Sequence, residues 1–133
     1  MAHQTFFKHD METRHEYKDR REKEKQAEID ACYAEVDARD LLHSRRSGKR
    51  LTKGHAQAAE RVERHHMQTR GLYPELVAES SNVITLSGTE HAEVKAGKAR
   101  YSGDANLRDA DGKLCGVKYE RITDAGWQTV GMI

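Results

Sequence analysis

The chain has 133 residues, 34% of them charged and 36% hydrophobic, with a formal net charge of +1. An average soluble domain is about 45–50% apolar and about 25% charged, so a thin core is expected, helped by partners or by oligomerisation. No run approaches the ~18 apolar residues of a membrane helix. No signal peptide is visible. Cys32 and Cys115 stand far apart, in no redox or metal spacing. The expected setting is therefore intracellular: the cytoplasm, or a particle assembled there.

Residues 8–40 carry one helical signal, free of glycine and proline. Between Glu12 and Gln26 the only large apolar side chain is Tyr17. The rest is mixed charge, with favourable i,i+4 spacings at Glu16–Arg20, Lys18–Glu22, Asp19–Lys23 and Arg20–Glu24. Such a helix can stand in solvent. From Ala27 onward the helix has two apolar faces. Ile29, Cys32, Tyr33 and Val36 form one; Ala27, Ala31, Ala34 and Ala38 form the other. A helix apolar on two sides needs cover on both, so the bulkier face is expected to meet a β module or a second subunit.

The segment from Leu41 to Leu72 holds eight Lys/Arg against two acids, a net +6 in a chain of +1. The remaining residues therefore carry −5. Gly48 reads as a helix stop. A second helix is predicted over 51–70, with Thr52 as N-cap, Gly71 as its end and Gly54 weakening its start by about 1 kcal/mol. Two helices joined by a short turn make an αα-hairpin, assigned here to a module of residues 1–72.

Pro74 marks the border of a second module, residues 73–133. Its pattern has period two. Strands are predicted at Val83–Leu86, His91–Ala96, Ala99–Tyr101, Leu114–Ile122 and Trp127–Ile133. Asp111-Gly112 is expected at a hairpin tip, with Val117 and Tyr119 on one face. The predicted fold class is α+β: a long-helix αα-hairpin, then a small antiparallel sheet or barrel.

Candidate chemistry centres on a basic set: Arg45, Arg46, Lys49, Arg50, Lys53, Arg61 and Arg64. Clusters of this kind bind phosphate backbones or acidic proteins. The competing reading is charge balance inside the protein. The first forty residues carry eleven Asp/Glu against eight Lys/Arg, enough to face the basic segment. No zinc finger, RNP motif or phosphate loop is found. His65 and His66 are adjacent, so on a helix they point about 100° apart and do not share a metal. No metal or cofactor is expected. Asp109-Ala-Asp111-Gly112 fits an EF-hand poorly, because its glycine falls too early, and is expected to be a plain turn. No catalytic residue is assigned, because neither Ser80-Ser81 nor Cys115 lies in a triad context.

The leading expectation is a non-enzymatic structural or interaction subunit of a larger assembly, of virion or nucleoprotein type. It would dock through the helical arm and the β module, and use Ile29, Cys32, Tyr33 and Val36 in subunit packing. The alternative is a small nucleic-acid-binding or regulatory protein acting through residues 43–70.

Overall fold

The computed structural model describes residues 12–133. The element order is helix α1 (Arg14–Asp40), strand β1 (Val62–His66), strand β2 (Val83–Ser87), helix α2 (Gly88–Lys95), and strands β3 (Ala99–Gly103), β4 (Val117–Thr123) and β5 (Gly126–Met132). Two short 3-10 turns, Pro74–Leu76 and Ser80–Asn82, lie between β1 and β2. The fold is α+β, with antiparallel sheets of two and three strands and no closed barrel.

The long helix forms as its local signals require. The Thr13 hydroxyl caps it by accepting from the Glu16 N–H at 3.0 Å. Arg20 bridges Glu24 at 2.9 Å, one of the expected i,i+4 pairs, and Glu12 at 3.0 Å. Residues 8–11 of the predicted span lie outside the described residues. The helix stops at Asp40, earlier than the Gly48 signal suggests. Leu41 and Leu42 both adopt left-handed backbone, at φ 54° and 59°, and the Leu41 N–H bonds to the Asp37 carbonyl. A bulky residue rarely adopts this conformation. Gly48 still serves as a turn residue, at φ 76°. The turn it closes is held by the Ser44 hydroxyl, which accepts from the N–H groups of Arg46 and Ser47.

The predicted helix over 51–70 is replaced by irregular chain and β1, so the αα-hairpin does not form. The reason is tertiary. All five residues of β2 are buried, and one edge of that strand requires a ladder partner. Val62–His66 supplies it, paired from Val62↔Ser87 to His66↔Val83. Local helix propensity in this segment is overridden by that pairing. The ladder also joins residues on either side of Pro74.

The second correction concerns 91–96, predicted as a strand and found as the body of α2. Ser87 and Glu90 form a capping box at its start. The Ser87 hydroxyl accepts from the Glu90 N–H at 3.1 Å, and the Glu90 carboxylate accepts from the Ser87 N–H at 2.8 Å. A serine followed three residues later by glutamate is a sequence signature of helix onset, and it outweighs the short alternation that follows it.

The remaining strands lie where the alternation puts them. β3, β4 and β5 form an antiparallel meander in that order. Asp111-Gly112 occupies the turn between Arg108 and Leu114, which form an isolated antiparallel bridge. The Asp109 carboxylate is spent on this turn, accepting from the N–H groups of Asp111 and Lys113. Val117 and Tyr119 are both buried in one cluster.

Two apolar clusters hold the fold, and β2 contributes to both. Ile84 and Leu86 pack with Ala99, Tyr101, Ala105, Val117 and Tyr119. Val83, on the opposite face of the strand, packs with Cys32 and Val36 of α1. Ile29, Cys32 and Val36 are buried and Tyr33 is half-buried, so this chain itself covers the bulkier face of α1. The alanine face is not covered: Ala27, Ala31, Ala34 and Ala38 are exposed.

Leu41 offers a direct test of the helix stop. Its side chain is 66% exposed, so little burial is lost on truncation. Left-handed backbone costs a non-glycine residue about 1–2 kcal/mol. Leu41→Gly is expected to stabilise the protein by about 1 kcal/mol, read as a higher denaturation midpoint at unchanged slope.

Candidate functional site

The basic segment was the site candidate, and the structure distributes its members among several partners. Arg45 is inside the protein, with 5% of its side chain exposed. Its guanidinium donates to the carbonyls of Ala105 at 2.8 Å and Ile133 at 3.0 Å, and lies 3.5 Å from the Asp40 carboxylate. Burial lowers the pKa of this guanidinium, and Asp40 opposes that effect. Arg46 pairs closely with Glu93 and stacks over the Tyr119 ring at 4.8 Å. Arg61 pairs with Glu63 at 2.8 Å. Arg64 donates to both oxygens of Asp37, at 2.7 and 2.8 Å, and sits over the Tyr33 ring at 4.9 Å. Lys53 reaches the same Asp37 at 3.0 Å. Lys49 and Arg50 are exposed and form no ion pair among the described residues. Five of the seven thus meet carboxylates of their own chain.

The deepest part of this network is Asp40. Its side chain is 0% exposed. Arg39 donates to both its oxygens at 2.8 Å. The hydroxyl and N–H of Thr85 on β2 donate to one of them, at 2.9 and 3.3 Å. Arg39 also donates to the carbonyls of Ser80 and Val83. One carboxylate at the end of α1 therefore ties together the helix, β2, the Arg45 loop and, through Arg45, the Ala105 loop and Ile133. Sequence reasoning missed this hub, because Arg39-Asp40 looks like any other pair in a charged helix.

A second network joins β1, α2, β3 and β4. Burial alone would raise the Glu93 carboxyl, but hydrogen bonds from Arg46 and Arg121 hold it below the usual carboxylate range. Glu63 is held down in the same way, by His91 and Arg61 against burial. Beneath these pairs lie rings. Tyr101 stacks on Tyr119 with centroids 5.1 Å apart, and His65 contacts Tyr101 and His91 at 5.9 and 5.2 Å. Burial first, then His91 and His66, pushes the His65 imidazole down to about 4. Burial raises the Tyr101 phenol above its ordinary value, and its hydroxyl is enclosed without a hydrogen-bond partner.

Other candidate chemistry is sparse. Among the described residues no group of three or more His, Cys, Asp or Glu side chains could hold a metal ion. Both cysteines are free. Burial raises the Cys32 thiol, which disfavours the nucleophilic thiolate. Cys115 is half-buried. Among the described residues no helix is long and apolar enough to cross a membrane.

The amino-terminal half of α1 presents a broad exposed surface. Residues 14–28 are exposed except for Arg20, which is half-buried. They extend the helix by about 20 Å at 1.5 Å per residue. Against the Pro74–Ala78 turn they leave an open cleft of about 620 Å³, whose walls include Tyr17, Arg21, Glu24, Pro74, Val77 and Ala78. Tyr17 is exposed, and so are Leu72 and Tyr73 just before the turn. No family model, curated protein or solved structure matches the chain.

Two outcomes follow from this geometry. Asp40→Asn leaves the size unchanged but strands two buried guanidinium groups, and should cost about 3–5 kcal/mol of stability in a denaturant titration. His65 carries a pH signature. The folded protein keeps it neutral down to about pH 4, whereas the unfolded chain protonates it below about 6.5. Stability should therefore fall as pH drops from 6.5 towards 4, by about 2 kcal/mol between pH 7 and pH 5. His65→Phe should remove that part of the slope.

Proposed function

We propose that this protein is a non-catalytic interaction subunit that docks a protein partner of a larger assembly along the first half of α1. One observation carries the reading. A 27-residue helix uses its second half to build the core and leaves residues 14–28, half-buried Arg20 apart, in solvent. A helix that served only the fold could begin near Ile29, where burial begins.

The surface on offer suits a mixed-charge helical partner. Tyr17 supplies an aromatic anchor, a residue type enriched where interfaces are strongest. Arg14, Lys18 and Lys25 stand with Glu22 and Glu28 around the cleft. Such a pattern selects register and orientation more than raw affinity. The basic segment supports this reading by its absorption: most of its charge is neutralised by Asp37, Asp40, Glu63 and Glu93.

The test is site-specific photo-crosslinking in the native assembly. A photoreactive residue at Tyr17 or Arg21 should give one discrete adduct with a different protein. The same residue at exposed Lys113 should give none. Equal labelling from all three positions, or none from Tyr17 and Arg21, would overturn the proposal. Tyr17→Ala should abolish the adduct formed from Arg21 while leaving the melting temperature within about 2 °C, since exposed substitutions cost within about 0.5 kcal/mol.

A further inference from the structure

A second surface has a different chemistry. Beside β1 lies an open cleft of about 520 Å³, lined by Arg64, His65, His66, Arg70, His91 and Lys95, with Tyr33, Thr69 and Val94. Among the described residues no carboxylate lines it. We propose that this cleft is a binding site for a small phosphate-bearing anion of phosphomonoester type.

The residues divide into supports and donors. Asp37 fixes Arg64 from behind, and Glu63 accepts from His91 Nδ1 at 2.8 Å. These two carboxylates orient their partners without entering the cleft. His66 donates from Nε2 to the Val77 carbonyl at 3.0 Å, because a carbonyl can only accept. With those bonds made, His66 Nδ1 and His91 Nε2 donate only when their rings are protonated, and a bound anion favours that protonation. Arg70 and Lys95 are exposed and form no ion pair among the described residues. The Arg70 guanidinium and the Lys95 ammonium thus line one concavity beside the imidazoles, and charge-assisted bonds from such cations are what phosphate oxygens accept best.

The cluster carries an electrostatic penalty that an anion would remove. Burial lowers His66, and the charges of Arg70 and His91 lower it further; His66 and His91 act on His65 in the same sense. The rings favour an ester over bare phosphate. Tyr33 and His66 lie 6.2 Å apart in a tilted arrangement, and His65 and His91 lie 5.2 Å apart. They give an attached flat group an aromatic wall. The volume suits a small molecule. A nucleic-acid backbone needs a track of cations, and Arg45, Arg46, Lys53 and Arg61 are committed to carboxylates elsewhere. This site does not rest on the docking role of α1.

The experiment is calorimetric titration of the full chain with AMP, with inorganic phosphate and with a 20-nucleotide single strand, at fixed ionic strength. AMP should bind one per chain, more tightly than phosphate, and phosphate should compete with it. Arg70→Ala combined with Lys95→Ala should weaken AMP by about tenfold or more, since each removes a hydrogen bond to a charged group. Both side chains are exposed, so the melting temperature should not change and a folding defect would be visible. His66→Gln should weaken AMP by a smaller factor. Absence of AMP binding at millimolar concentration would overturn the site, as would affinity unchanged in the double variant. Phosphate binding as tightly as AMP would overturn the role of the rings. Oligonucleotide binding without AMP binding would replace the site by a nucleic-acid surface.

Discussion

Asp40 accepts hydrogen bonds from Arg39, Arg45 and Thr85 at the point where α1 ends and β2 passes beneath it. Each of those donors belongs to a different part of the architecture. Arg39 continues to the Ser80 and Val83 carbonyls, and Arg45 continues to Ala105 and Ile133. A buried ion pair adds little net stability, because desolvation consumes most of the Coulomb gain. What this one supplies is position. Each guanidinium has fixed planar donors, so the helix end, the central strand and the loops fit together in one relative placement.

That placement matters because the apolar core is small. Ile84 and Leu86 face one cluster and Val83 the other, so β2 separates two cores that are each only a few side chains deep. A slip of one residue along β2 would exchange its two faces. Thr85 would then leave Asp40, and Arg39 would lose the Val83 carbonyl. The charge network and the alternation of the strand enforce the same register.

The chain's high charge content follows the same economy. Where a larger protein would bury aliphatic side chains, this one covers its rings with guanidinium groups: Arg46 on Tyr119, Arg64 on Tyr33, Arg100 on Trp127 at 4.2 Å. Such contacts combine apolar coverage with ion pairing. They also show how a segment of net +6 is held against its own chain. Its cations are drawn inward by Asp37, Asp40, Glu63 and Glu93, and the exposed positive charge that remains includes the Arg70 and Lys95 cleft.

The sequence by itself determined the features whose causes lie within a few residues. The helix from Arg14 to Asp40 follows from its unbroken run of helix formers and its i,i+4 charges. The meander follows from alternation, and the Asp111-Gly112 turn from the conformations glycine permits. The capping box at Ser87 and Glu90 was equally legible, but the alternation after it pointed the other way. Tertiary structure decided the rest. Val62–His66 is a strand because β2 must satisfy its edge, an obligation written more than fifteen residues away. Leu41 and Leu42 turn left-handed because the chain must leave the helix where Asp40 meets β2, and no leucine announces this. The partners of Arg45, Arg46, Lys53, Arg61 and Arg64 could not be read in advance. A charge pattern gives the sign of each side chain, and only the packed chain brings a particular carboxylate within 4 Å of it.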